Sequence, residues 1–527
     1  MSEHTPGPIA KRWNLLDSAR QQSLMRARDA AMHTDPTVLP PKDQNPDSDM
    51  PTTYQSIGGR GSVSLEGRML LGIFPLGVPW LVMEPAPEVI YGGADPEKIL
   101  QLQEQLFIRA VMIQSLYMQG GDSDGRDPMG FLTSMRQVIG SLLITGSSCF
   151  KVNDDFDTTV FRRDQYVVQR DQRGRLLELI IREMIHPGSL TTEQRQQCEL
   201  DDPNEDDESD SEELYTRVLW DHASKKWKIR QECCGQMIAE STETVCHYVV
   251  PYYKLPIGEH EGRGYFELVA LGDLRSAAEL HERMLDFAAQ ASKMHPILDP
   301  LSSLSPRDLQ QRSGTVLRDS VRGGVADKIG TFQTQKGQDF GIVREVLSSL
   351  RSELSAAFML QAGQVRNSER TTAYEVAETV IKDNEGTFGG FYASVADQLQ
   401  NPLVRIGMHL LTKKKYATPV PQSLYRVGTL TGLAALARFR QSQTILDTVQ
   451  VAGALGPEVL KRIDMGVVFD TVLRYRGVSI PGMVKSREQM QAEQNSEMQT
   501  RVAESTANSV VDAAATIATQ QAGAPPA

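Results

Sequence analysis

Apolar residues recur at helical spacing through most of this chain. From Ile9 to Met32, the positions of Trp13, Leu16, Leu24 and Ala27 predict a helix. Residues 34–52, rich in Pro, Asp and Asn, predict a loop. A second helix is predicted from Gly58 to Phe74, ending at Pro75. Asp95 and Pro96 have the residue types of an N-cap and first helical position. Leu102, Leu106, Ala110, Ile113 and Tyr117 carry the stripe of that third helix as far as Gly120-Gly121, and Leu132, Met135, Val138, Ile139 and Leu142 mark a fourth.

From Cys149 to Pro251 the period changes. Short runs such as YVVQRD, LLELIIREMI, LYTRVLWDH and KWKIRQECC are rich in β-branched and aromatic residues, and DQRG (171–174) reads as a turn. A mixed α+β region with a small antiparallel sheet is predicted. Helical spacing returns at Leu274, Ala278, His281, Leu285 and Ala288, opened by Asp273. Met294 to Phe340 has scattered Gly and β-branched residues and predicts short strands. Val343, Val346, Leu347, Leu350, Leu354 and Phe358 then form another stripe, followed by a polar loop, QAGQVRNSER (361–370). A long helix starts near Thr371, where Thr372 and Glu375 match a capping box. It runs toward Leu411 and is interrupted by Gly386, Gly389, Gly390 and Pro402, residue types that kink helices. Further helices are predicted over 433–455 and 457–475 and from Arg487 onward. The last forty or so residues are rich in Ala, Gln, Ser and Thr and predict partial disorder or ordering only in an assembly.

Composition narrows the class. At 527 residues and 40% hydrophobic, the chain can bury a large core without disulfides or metals. Five cysteines without a CxxC pair argue against a zinc site and for a reducing compartment. The N-terminus lacks the apolar core of a signal peptide, and the longest uncharged apolar stretch, Met69 to Met83, is broken by Gly72, Pro75, Gly77 and Pro79. A soluble, intracellular protein without a membrane partner is expected. The net charge of −12 argues against a simple nucleic-acid binder. Ten acidic residues, however, fall in one run, 199–213, and without it the chain is nearly neutral. That run reads as a solvated surface loop or as a partner-binding segment.

Catalytic patterns are missing. No GK pair occurs, so there is no P-loop lysine. His281-Glu282 and His260-Glu261 lack the second histidine of HExxH, and GSSCF (146–150) lacks the closing glycine of GxSxG. Cys246 and His247 are neighbours in a predicted strand and would point to opposite faces. Asp154, Asp155 and Asp157 would suit either a divalent cation or a solvated turn. No enzyme activity, cofactor or metal is expected.

The order of elements, with several local strings, resembles the portal (head-to-tail connector) proteins of short-tailed double-stranded DNA bacteriophages. The strings are YQSIGGRG (54–61), RMLLGIFP (68–75), YVVQRDQRG (166–174), GDLRS (272–276), FML (358–360) followed by ERTTAYEV (369–376), GGFYASVADQLQNPLVR (389–405) and PGMVKSREQMQ (481–491). They occur in the family's order and cover most of the chain; the acidic run is not a family element. The resemblance implies a mainly α fold with an α+β wing. The wing would be residues 1–268, the stem helices 269–292 and 341–360, and the clip 293–340. The channel loop would be 361–371, the long kinked helix and its connection 372–429, the crown 430–480 and the tail 481–527. It further implies a closed ring of about twelve subunits, a dodecamer, at one capsid vertex of the virion. The ring would be assembled in the host cytoplasm and would package and eject the genome. The implied partners are double-stranded DNA, the large terminase, tail adaptor proteins, and the major capsid and scaffolding proteins.

A channel must pass a polyanion bearing one negative charge per ~1.7 Å without gripping it. Mixed charge on the second stem helix, Arg344 and Arg351 with Glu345 and Glu353, suits such a wall and also suits any solvated helix face. Arg366 and Arg370, on the polar loop, suit transient phosphate contact, although Arg370 could instead pair with Glu369 or cap a helix. Arg307, Arg312, Arg318, Arg322, Lys328 and Lys336 make the clip basic, facing the DNA exit, the packaging motor or neighbouring subunits. The rival readings are an enzyme of unfamiliar helical fold and another structural protein, a scaffold or adaptor.

Overall fold

The structure, a computed structural model, describes residues 6–42, 50, 52–75, 79–92, 95–120, 129–198, 200, 211–291, 295–298, 329–332, 337–360, 394–429, 432–456, 463 and 465–476. It divides into two units, Met1–Ala437 and Arg438–Ala527.

The first unit opens with helix α1 (Pro8–His33), whose proline occupies the first helical position, where its missing N–H costs nothing. Glu232 caps this helix from across the chain, its carboxylate accepting from the Ile9 and Ala10 amides at 2.8 and 3.0 Å. Helices α2 (Ile57–Ile73), α3 (Pro87–Tyr91), α4 (Pro96–Gln119) and α5 (Phe131–Thr145) follow, with strand β1 (Leu81–Pro85) before α3. The four long helices match the predicted stripes to within a residue or two. Eleven of the fifteen residues of α5 are buried, so this helix forms the centre of the main core. Trp80 stacks on Phe131 at 5.7 Å, and Phe74 and Tyr117 close around the same ring. Such aromatic pairs add roughly 0.5–1.5 kcal/mol each beyond the area they bury. Gly146 ends α5 at φ +83°, where a Cβ would stand 2.3 Å from the Arg263 carbonyl carbon; only glycine fits.

The β region forms two antiparallel sheets. One has three strands, ordered β3 (Thr158–Phe161), β2 (Cys149–Val152), β9 (Tyr248–Val249). The other is a five-stranded meander of β4 (Tyr166–Arg170), β5 (Leu176–Ile185), β6 (Glu212–Asp221), β7 (Lys226–Cys233) and β8 (Gln236–Glu243). A short helix, α6 (Thr192–Gln197), lies between β5 and β6. DQRG makes the β4–β5 turn, with Asp171 accepting from the Arg173 and Arg175 amides. Two positions depart from the sequence reading. Glu212 and Glu213, the end of the acidic run, are not loop but the first residues of β6, because the ladder to β5 extends to the Ile185–Glu212 pair. Cys246 and His247 lie before β9, not within a strand.

Helix α7 (Tyr265–Val269) leads into α8 (Leu271–Ala291). Strands β10 (His295–Leu298) and β11 (Ile329–Phe332) pair antiparallel, and α9 (Gly337–Ala357) returns alongside α8. Four residues assigned to the clip, 337–340, are helical instead. Phe340 stacks on Phe287 at 3.9 Å, which extends the helix pair by about a turn. Residues 394–413 form helix α10, buried through Val395, Ala396, Leu399, Leu403 and Val404, and it runs through Pro402. The chain then turns at Pro419 and Pro421 into β12 (Tyr425–Thr429), which pairs with β1. The stretch assigned to a long helix and connection therefore ends in a strand.

In the second unit, residues of α11 (Gly432–Leu455) and α12 (Met465–Arg476) border an apolar groove of about 390 Å³ lined by Ile445, Val449, Val468 and Tyr475.

Candidate nucleic-acid channel interface

Four of the strings that carry the sequence resemblance, YQSIGGRG, RMLLGIFP, GDLRS and FML, meet at the root of the α8–α9 pair. Phe358, at the end of α9, is fully buried and meets Phe266 at 5.3 Å. Gly61, on α2, lies against the same ring; a Cβ there would stand 2.3 Å from Cδ2 of Phe358. Arg68 of α2 donates to the Met359 carbonyl at 3.1 Å, and Tyr265 donates to the Ala357 carbonyl at 2.9 Å. Met359 itself is held at φ +53°, in the left-handed region. GGRG, RMLLGIFP and FML are thus one packed junction, fixing the chain where residues 361 onward begin. At the root of α8, Leu274 is fully buried, and Arg275 pairs with Asp29 of α1.

Helix α10 is tied to the same body. Gln400 donates to the Ile73 carbonyl at 2.8 Å, and Tyr117 donates to the Leu403 carbonyl at 3.0 Å. Gln398 both accepts from the Tyr252 amide and donates to its carbonyl, at 2.9 and 3.2 Å. Arg170, from YVVQRDQRG, is buried, donates to the carbonyls of Gly174, Val250 and His260, and lies over the Tyr252 ring. Burial lowers its pKa from the usual arginine value, and the neighbouring tyrosines oppose that shift.

Away from the root, the helix pair is solvated and of mixed sign. Arg344, Glu345, Arg351 and Glu353 are all exposed. Arg351 lies 3.3 Å from His281 of α8, so this histidine sits between the two helices and not in a core. Arg283 pairs with Glu279 one turn away. The same helices expose large apolar side chains: Leu285 at 49%, Ile342 at 66% and Val346 at 45%. Leu285 and Val346 belong to the predicted apolar stripes. They are uncovered here because α8 and α9 extend beyond the body that buries Leu274 and Phe358.

Of the predicted site residues, Arg344 and Arg351 are on α9 and Pro402 is on α10. Arg366, Arg370, Arg307, Arg312, Arg318, Arg322, Lys328, Lys336, Gly386, Gly389 and Gly390 lie outside the described residues. So do the capping box at Thr372 and the tail 481–527.

The candidate chemical clusters have structural partners. Asp154 and Asp155 pair with Lys413 and Lys414 at the end of α10, at 2.7 and 2.5 Å, and Asn153 donates to Asp157. The turn therefore docks a helix end, and the hydrogen bond from Lys413 holds Asp154 below the usual carboxylate range. Ser147 accepts from the Gly262 amide at 2.8 Å, joining two loops. Burial pushes the Cys246 thiol up to about 12, which keeps it protonated and poorly nucleophilic.

The family model for the bacteriophage head-to-tail connecting protein matches residues 7–483. The portal protein of Escherichia phage T7 is 26% identical over 476 residues, covering 88% of this chain and 86% of that protein. The portal protein of Enterobacteria phage T3 is 26% identical over 492 residues, covering 91% and 88%. That of Pseudomonas phage phiKMV is 26% identical over 457 residues, covering 85% and 86%. Among solved structures, the neck of a native gene transfer agent particle, computed with C12 symmetry, covers 70% of this chain and 88% of its own at 11% identity and a TM-score of 0.33. With the family match running from residue 7 to residue 483, the chain belongs to the bacteriophage head-to-tail connecting protein family.

Proposed function

We propose that this chain is the subunit of a portal ring, a dodecamer, at one capsid vertex. Double-stranded DNA is packaged and ejected through it; the large terminase docks on it during packaging and tail adaptor proteins afterward. The major capsid and scaffolding proteins surround it, and the ring is built in the host cytoplasm. The observation that carries this reading is the match to portal proteins over most of the chain. The α8–α9 pair with the β10–β11 strand pair is the stem and part of the clip in this reading, and residues 361–371 are the channel loop.

Two features of the helix pair fit a ring. Exposed Leu285, Ile342 and Val346 need cover, and a closed ring gives every copy a neighbour. The charged groups are of both signs and partly paired among themselves, so the wall offers a phosphate backbone little net attraction. In this reading the chain is a conduit and the terminase supplies the force.

The test is in vitro packaging into empty capsids assembled with and without this chain, using the cognate terminase. Nuclease-protected, full-length DNA is expected only in capsids that contain it. Equal protection without it would remove the reading.

A further inference from the structure

The five-stranded sheet holds a cluster that neither the helix pair nor its junction uses. Cys198 closes the C-terminus of α6, Cys233 ends β7, and Cys234 occupies the tight β7–β8 turn. Their three sulfurs all lie within 4.8 Å of one another. The Cys233 and Cys234 sulfurs are 3.7 Å apart. A tetrahedral zinc thiolate with Zn–S near ~2.3 Å places its sulfurs about 3.8 Å apart, so one edge of such a tetrahedron is already formed. Glu212, at the start of β6, brings a carboxylate oxygen to 3.5 Å from the Cys234 sulfur. Ile185, Leu190, Leu200, Leu214 and Ile238 surround the group, and only Cys234 of the three thiols is partly exposed.

We infer that Cys198, Cys233 and Cys234, completed by Glu212, bind one thiophilic d¹⁰ cation of the Zn²⁺ class. Three thiols from the end of α6 and the end of β7 converge, Glu212 reaches the Cys234 sulfur as the nearest further donor, and the apolar shell limits competition from water. The positive charge of the cation offsets the charge of the three thiolates it gathers. Three S–metal bonds form, three thiol protons pass to water, and no electrons are exchanged. The missing CxxC spacing hid this set, since its ligands come from sequence-distant elements.

The site's position gives it a role. Cys198 immediately precedes the acidic run and Glu212 stands near its end. A cation held by both ties the end of α6 and the start of β6, which flank residues 199–211, to the β7–β8 turn. The site stands independently of the portal reading.

The experiment uses the full chain, reduced and freed of metal, titrated with Co²⁺ and then Zn²⁺. One equivalent per chain is expected, with a thiolate-to-Co²⁺ charge-transfer absorption that Zn²⁺ abolishes. Cys234→Ser and Glu212→Gln should each weaken Zn²⁺ binding by at least about tenfold. Cys246→Ala, outside the cluster, should bind as the wild type does. Cys198→Ser is buried and could disturb folding, so the partly exposed Cys234→Ser, checked by circular dichroism, carries the decision. No charge-transfer absorption, or absorption unchanged in Cys234→Ser, overturns the site. Three free thiols per chain, in place of five, counted in the chain as purified and before reduction, together with no metal uptake after it, would identify a disulfide pair instead and would also overturn it.

Discussion

The junction between Gly61 and Phe358 yields a double-mutant test with a predicted change of sign. Phe358 is 0% exposed and packs between Phe266 and the Gly61 backbone. Removing the ring by Phe358→Ala leaves a cavity in the main core and should cost roughly 3–5 kcal/mol. Gly61→Ala adds a methyl 2.3 Å from Cδ2 and 2.5 Å from Cγ of that ring. Overpacking of this kind costs about 1–3 kcal/mol, whereas replacing a helical glycine by alanine returns close to ~1 kcal/mol. Alone, Gly61→Ala should therefore destabilise by roughly 0–2 kcal/mol. With Phe358→Ala the clash is gone, the helical gain remains and the methyl fills part of the cavity. Gly61→Ala should then stabilise by about 1 kcal/mol, giving a coupling of about 1–3 kcal/mol. The assay is urea unfolding of all four proteins below the assembly concentration, followed by tryptophan fluorescence, since Trp13 and Trp80 are buried. Additive effects within about 0.5 kcal/mol would show that the two residues do not share a packed site and would refute the junction.

Replacing both Ile342 and Val346 by Glu should leave the secondary structure unchanged but abolish ring closure, read by mass photometry, because two exposed apolar side chains on one face of α9 become charged. Assembly equal to wild type would remove these residues from the interface. Replacing both Arg366 and Arg370 by Ala should preserve rings but shorten or destabilise the packaged DNA. Each contact is worth about 1 kcal/mol or less under salt screening, and the ring repeats it in every subunit. Wild-type packaged length and leakage would exclude that role. Burial holds Glu66 above the usual carboxylate range, against the opposing effects of Ser62 and Arg136. The fold therefore favours its protonated form. The stability Glu66 contributes is present below its unfolded pKa and is lost as pH rises through the raised folded value. Thermal unfolding of the wild type, measured relative to Glu66→Gln, should show that loss; parallel pH profiles would contradict it.

Local periodicity carried much of the fold. Trp13 and Leu24 placed α1, Leu106 and Tyr117 placed α4, and the 274–288 and 343–358 stripes placed α8 and α9. These signals are read within a few turns of chain. The β1–β12 pair had no such signal, because its strands are far apart in sequence and β1 begins within an apolar stretch broken by Gly and Pro. Periodicity also cannot say what covers an apolar face: Leu285 and Leu274 share a stripe, yet one is solvated and the other fully buried. The strings YQSIGGRG, RMLLGIFP and FML name the segments of the junction but not the contacts between them. That Gly61 exists to receive Phe358, and Arg68 to hold the Met359 carbonyl, required the tertiary contacts. The thiol cluster was illegible for the same reason, since Cys198 meets Cys233 only through the β5–β6–β7 ladder.

Electron cryomicroscopy of the purified full-length chain, without nucleotide or added metal, tests the portal reading most directly. The account predicts closed rings with an axial opening wide enough for duplex DNA, lined by the α8–α9 pairs, with Leu285, Ile342 and Val346 covered by neighbouring copies. Monomers that stay monomeric in the presence of scaffolding and capsid proteins, open filaments, or rings with these helices on the outer rim would contradict it.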